Sequence, residues 1–195
     1  VLIMPIALLL AIYWGSNFSY EQLYIKVNTD LSVSHDVFER IKRDYLDVLE
    51  KTGESFQFRT ALSSANSREI QLQLRRLQQE NAFSYIHLSD PNGHIIHQQK
   101  TSDPPVSTRY SSAREAARAG IKSSGIEIFS SAELAVEQLA ESLKLPLIAT
   151  ARARATERTI EDRGMMIRAL YPVLAANVKV EAILDAGVLL NANFN

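Results

Sequence analysis

The first sixty residues constrain this chain most. Val1 to Trp14 reads V-L-I-M-P-I-A-L-L-L-A-I-Y-W, without a charged side chain. From Ser16 onward the chain turns polar, yet Tyr20, Tyr24, Val27, Leu31, Ser34, Phe38, Ile41, Tyr45 and Val48 recur in alternating steps of four and three. That spacing is a heptad seam with one polar member, Ser34, and only a long helix presents it on one side. The helix is expected from about Ser16 to about Glu50, with Gly53 as the first breaker beyond it. The seam can face a second copy in a dimer or the chain's own sheet. Packing on its own sheet with a dimer contact nearby is the expectation.

The apolar run is about 14 residues, or about 21 Å of helix, whereas a bilayer core needs about 20 residues. Tyr13 and Trp14 stand where an interfacial aromatic belt would stand, and no small-residue cleavage site follows them. The expected organisation is a transmembrane helix remnant over 1–15, a stalk helix over 16–60 and a globular part over 61–195. Val1 as first residue and the ending Asn193-Phe194-Asn195 make a fragment of a longer protein the expectation. The chain has no cysteine, which excludes disulfides, thiolate metal sites and a cysteine nucleophile. A net charge of −1 argues against nucleic acid as a partner.

Beyond the stalk the pattern alternates between helix and strand. Asn66-Ser67-Arg68-Glu69 is a capping box, and Ile70, Leu74 and Leu77 follow at helical spacing, so a helix is predicted from Ser67 to Glu80. Phe83 to Leu88 and His94 to Gln98 read as two strands joined by Asp90-Pro91-Asn92-Gly93, a turn with Gly93 at positive φ. A short helix is expected between Ser112 and Gly120, a strand at Ile126–Phe129, and a helix from Ser130 to near Leu143 that Pro146 cannot continue. Met165–Leu174 and Val178–Leu190 are long apolar strands that read as the central hairpin of an antiparallel sheet. The fold class is α+β.

At these residues the sequence resembles the extracytoplasmic Cache sensor domains of bacterial transmembrane receptors, which are PAS-like. The nearest pattern is that of a group of sensor histidine kinases, with a D-P-D-G hairpin, an S-x-E-L helix start, a P-R-A loop, an E-D-R-G strand start, P-V, and G-G-V-L-L-N-R-N. The matching stretches are Asp90–Gly93, Ser131-Ala132-Glu133-Leu134, Ala151-Arg152-Ala153, Glu161–Gly164, Pro172-Val173 and Ala186–Asn193. Ala151, Ala186 and Ala192 depart from it. The resemblance implies a long N-terminal helix, continuing from a membrane helix, packed on a PAS-like antiparallel sheet with short flanking helices. It also implies a sensor module in the bacterial inner membrane, facing the periplasm, whose kinase part lies outside this chain.

Candidate chemistry is sparse. Arg152, Arg154, Arg158, Arg163 and Arg168 suit an anion, since guanidinium groups fork onto carboxylates, while a solvated loop of ion pairs is the plainer reading. Arg168 stands out because it interrupts an apolar strand. It is expected to clamp a ligand carboxylate, with Tyr171 and Tyr110 as hydrogen-bonding walls and Arg152 nearby. Alternation puts Tyr85 and His87 on one strand face, where a PAS-like pocket would lie. The pocket is expected between the sheet and the loops 101–110 and 149–164. His87, His94 and His97 lack acidic partners at metal-ligand spacing, so no metal is expected. No nucleophile elbow, P-loop or dinucleotide fingerprint occurs, so no catalytic residue and no cofactor are expected. The expected function is ligand sensing, with a small molecule, the membrane and a second copy as partners. Alternatives are the sensor of a chemoreceptor or diguanylate cyclase, or a membrane-anchored coiled-coil assembly protein without a ligand.

Overall fold

The structure is a computed structural model that describes residues 3–98, 111–148, 150–151, 153–154, 156–175 and 177–191. The chain divides into two compact units, Val1–Ile41 and Lys42–Asn195. One helix, α1 (Ile3–Glu54), makes up the described part of the first unit and contributes its last turns to the second. In the first unit the seam is exposed, with Tyr20, Tyr24, Val27 and Leu31 at 72, 70, 53 and 62%. No described helix is long and apolar enough to cross a membrane.

In the second unit α1 continues through Gly53 rather than ending before it. A Cβ at Gly53 would lie 2.6 Å from Cε1 of Tyr171. The glycine therefore permits close packing of helix on sheet and is not a helix stop. Ser55 then caps α2 (Phe56–Ser63) by accepting from Phe58 N at 3.2 Å. Asn66 does the same for α3 (Ser67–Asn81), accepting from Glu69 N, which is the N-cap half of the expected capping box, while the Glu69 carboxylate accepts from Gln57 and Gln73 instead.

The strands are β1 (Tyr85–Ser89), β2 (Ile95–Gln98), β3 (Ser123–Phe129), β4 (Leu145–Pro146), β5 (Ile160–Glu161), β6 (Gly164–Leu174) and β7 (Val180–Leu189). Five form an antiparallel sheet in the order β2-β1-β7-β6-β3, and β4 pairs with β5 separately. The turn between β1 and β2 is the expected one. Gly93 has φ 102° and donates to Asp90 O at 3.1 Å, and Asp90 Oδ1 accepts from His94 N at 2.8 Å. The hairpin of β6 and β7 is central, as its apolar runs predict, because both of its faces are covered.

The two faces differ. One carries Ile86, Leu88, Ala169, Val173, Ala182, Leu184 and Ala186, which pack with Leu49 of α1, Phe58 of α2 and Ile70 and Leu74 of α3. The other lies under α4 (Ser112–Arg118), α5 (Ser131–Val136) and the 3-10 turn Ala140–Leu143. There Ala117 of α4 packs with Leu170 and Ile183. Leu134 of α5 and Leu143 pack with Tyr85, Phe129, Met166 and Leu189. The helix predicted to run to Leu143 stops early because the chain turns left-handed at Gln138, with φ 59°. Leu139 N then bonds back to Leu134 O.

Candidate functional site

Between those apolar patches on the second face lies a cluster of charge. Tyr85, His87 and Ser89 alternate onto this face from β1, Arg168 from β6 and Asp185 from β7. Register brings them together, since His87 and Leu170 both stand opposite Asp185, while Arg168 and Tyr85 both stand opposite Gly187. A Cβ at Gly187 would collide with the Tyr85 ring, so the glycine lets that ring lie across β7. Asp185 is fully buried; His87, Arg168, Arg114 and Tyr85 are 2, 2, 4 and 5% exposed.

Asp185 is the hub. Its Oδ1 accepts from Arg168 Nε at 3.0 Å and from the Tyr85 hydroxyl at 3.0 Å, and its Oδ2 accepts from Arg168 Nη2. Such a fork is the strongest way to bind a carboxylate with protein groups. Burial alone would raise the Asp185 pKa, but the Arg168 and His87 charges hold it far below the usual carboxylate range. Burial raises the Tyr85 hydroxyl well above its ordinary value, and the charge of Asp185 adds to that. Arg168 Nη1 donates to Ser111 Oγ and to Glu127 Oε2 of β3, both at 3.1 Å. Each guanidinium nitrogen of Arg168 thus has an internal acceptor.

Two members are not satisfied in this way. Arg114 Nη2 donates to Ser89 Oγ at 2.8 Å, but Nη1 makes no hydrogen bond and stands 3.6 Å from Asp185 Oδ2. His87 stacks on Tyr85, with ring centroids 5.4 Å apart. Its Nε2 is 3.4 Å from Asp185 Oδ2 and its Nδ1 is 3.7 Å from Glu137 Oε1, just after α5. Both are ion-pair approaches that fall short of hydrogen-bond geometry. Buried polar groups are nearly always hydrogen-bonded, so three buried nitrogens held only by ion-pair approaches set this cluster apart from the rest of the core.

Several solved structures share this architecture. A domain of a sensory box/GGDEF family protein from Vibrio parahaemolyticus superposes with a TM-score of 0.54 at 14% identity, over 82% of this chain and 57% of that one. The extracellular domain of a histidine kinase gives 0.52 at 14% identity, over 82% and 55%. The sensor domain of the Vibrio cholerae histidine kinase DctB gives 0.50 at 18% identity, over 87% and 57%. The fold is that of the PAS-like sensor domains. The chain spans little more than half the length of those three solved chains. No family model and no curated protein matches the sequence.

Within this sensor fold the residues singled out from sequence fall into three groups. Arg168, Tyr85 and His87 come together in the cluster. Tyr171 does not join them. Being three residues from Arg168 on a strand, it takes the opposite face, under Gly53. There its hydroxyl donates to Glu54 Oε1 at 3.3 Å, and burial, with the charge of Glu54, pushes its pKa up to about 12. Tyr110, Arg152 and the loop 101–110 lie outside the described residues. In the second loop Arg163 forks onto Glu161 at 2.7 and 2.9 Å, and Arg158 approaches Asp162 at 3.4 Å, all with substantial solvent exposure. Among the described residues no group of His, Cys, Asp or Glu side chains could hold a metal ion. The sequence reading missed Asp185, Arg114, Glu127 and Glu137. Asp185 carries a signal like the one that flagged Arg168, a charge set among apolar residues of a long strand.

Proposed function

We propose that this chain is the extracytoplasmic sensing module of a membrane-bound receptor, with a two-component histidine kinase as its output. The charge cluster under α4 and α5 receives a small anionic ligand, a carboxylate in the first instance. The observation that carries this reading is the buried Nη1 of Arg114, which makes no hydrogen bond and only approaches, at 3.6 Å, the Asp185 oxygen already held by Arg168. A ligand carboxylate can take that nitrogen and compete with Glu127 for Arg168 Nη1. Glu127 is the natural group to yield, because its side chain is 16% exposed whereas that of Asp185 is fully buried. Arg168 thereby shifts from the clamp expected from sequence to a group that holds the site's charge in place, and Arg114 becomes the first contact.

Such binding signals only through a difference in affinity between two arrangements of the module. α4, which carries Arg114, and the segment after α5, which carries Glu137, are the elements that a ligand would pull on. The apolar run 1–14 supports attachment to a membrane, and the exposed seam from Tyr20 to Phe38 supports a parallel dimer along it. Ser34→Leu should then tighten self-association in sedimentation, and unchanged association would exclude the seam as the contact. Because one structural neighbour comes from a GGDEF family protein, a cyclase-type output is the second reading.

The test is a thermal melt of the chain against carboxylates, amino acids and neutral sugars. A ligand at a hundred times its Kd stabilises by about 2.7 kcal/mol. The reading predicts a carboxylate hit that Arg114→Met abolishes. A best ligand that is neutral or cationic, or a carboxylate bound equally by Arg114→Met, would refute it.

A further inference from the structure

His87 stands between two carboxylates, Asp185 on β7 at Nε2 and Glu137 after α5 at Nδ1. A neutral imidazole has one N–H and one lone pair. Whichever tautomer it adopts, the nitrogen left with the lone pair lies 3.4 or 3.7 Å from a carboxylate oxygen in a buried, low-dielectric place. Only the imidazolium presents a donor to both acids. We propose that His87 is a proton-binding site that ties the end of α5 to the sheet, making the module a sensor of mild alkalinisation as well as of its ligand.

The charges of the surrounding cluster agree with this, Asp185 and Glu137 beside the ring and Glu127 through its pair with Arg168. Asp185 on β7, Glu137 after α5 and Glu127 on β3 are acidic; Arg168 on β6 and Arg114 on α4 are basic; Tyr85 on β1 stacks on the ring. With His87 protonated the three acids meet three cations and the cluster is neutral; without that proton it carries one uncompensated negative charge. Burial by itself would lower the His87 pKa, but the nearby negative charges of Asp185, at 3.4 Å, and Glu137, at 3.7 Å, outweigh it and lift the pKa to about 9. A group raised in this way contributes stability in full below its unfolded value of about 6.5 and loses it as pH rises through about 9.

The two acids differ in what they can do when the proton leaves. Asp185 is fixed by Arg168 and by the Tyr85 hydroxyl. Glu137 has a side chain 13% exposed and caps a six-residue helix that ends in a left-handed turn at Gln138. A neutral His87 keeps its single N–H for Asp185 and turns a lone pair toward Glu137. The segment from Glu137 to Leu143, which seals this face through Leu143, is therefore the part that lets go.

The inference rests on the reading of this face as the sensing face, but its test does not need a ligand. The isotopically labelled chain is titrated from pH 5.5 to 10 while the His87 ring nitrogens and the backbone amides of residues 131–143 are followed by NMR. The expected result is a doubly protonated ring at neutral pH, a midpoint above about 8 where an unperturbed histidine sits near 6.5, and amide shifts that share that midpoint. Glu137→Gln should lower the midpoint by at least about half a pH unit, since it removes one of the two charges that raise it. A singly protonated ring at pH 7 overturns the proposal, and the wild-type titration alone decides that point even if the variant folds poorly. Amides 131–143 that ignore the His87 midpoint overturn the link to α5. A carboxylate bound at this face by a chain whose His87 is neutral would preserve the sensor reading and end this one.

Discussion

Replacing Asp185 by Asn keeps the shape of the hub and removes its charge. The structure sets the size of the effect. The carboxylate is fully buried, forks with Arg168 through both oxygens, accepts from Tyr85 and neutralises part of Arg114 and His87. Without it the buried cations exceed the acids that remain. Removing one partner of a buried ion pair costs about 3–5 kcal/mol, because the other is left uncompensated in a place from which water is excluded. In urea, with a slope of about 2 kcal/mol per molar, that loss lowers the unfolding midpoint by about 2 M without changing the slope. The double variant Arg168→Met, Asp185→Leu should lose less than the sum of its single variants by at least about 1 kcal/mol, since the two side chains touch. A loss below about 1 kcal/mol for Asp185→Asn, or strict additivity in the double variant, would show that the cluster is not the coupled unit described above.

Three further outcomes are expected. Gly187→Ala should destabilise by about 1–3 kcal/mol in the same unfolding assay, because its Cβ meets a Tyr85 ring held by Asp185 and stacked on His87; near-UV circular dichroism should report the displaced tyrosine. Gly93→Val should cost about 1 kcal/mol or more, since φ is 102° there; a neutral effect on the midpoint would mean that the turn has another shape in solution. The Asp185 pKa is depressed on folding, so its contribution is complete above the ordinary carboxylate value and disappears as pH falls toward the folded one. Wild type should therefore lose stability on acidification below about pH 4, where Asp185→Asn should show a shallower slope.

Much of this architecture is legible in the sequence, for identifiable reasons. The helices announced themselves through caps and period, at Asn66 and Ser130 above all, and the central hairpin through two apolar runs too long for a one-sided sheet. Alternation along β1 was enough to put Tyr85 with His87. What stayed hidden depends on contacts distant in sequence. Gly53 looked like a stop because nothing nearby in the chain shows that Tyr171 will press against it. The early end of α5 lies at a non-glycine residue, Gln138, which gives no local signal for a left-handed turn. Arg114 sits in a helix of seven residues and reads as a surface charge, and only the docking of α4 onto β6 and β7 buries it. Tyr171 is expected as a wall beside Arg168, but a spacing of three along a strand puts the two on opposite faces of the sheet.

Mapping decides whether the face under α4 and α5 is where this module meets a ligand. The labelled chain is titrated with the carboxylate that gives the largest thermal shift, and backbone amide perturbations are placed on the fold. Saturable shifts concentrated at residues 85–89, 111–118 and 183–187 are expected. Shifts confined instead to the groove of Glu54, Phe56, Arg59, Val173 and Glu181 at the other face would contradict that placement.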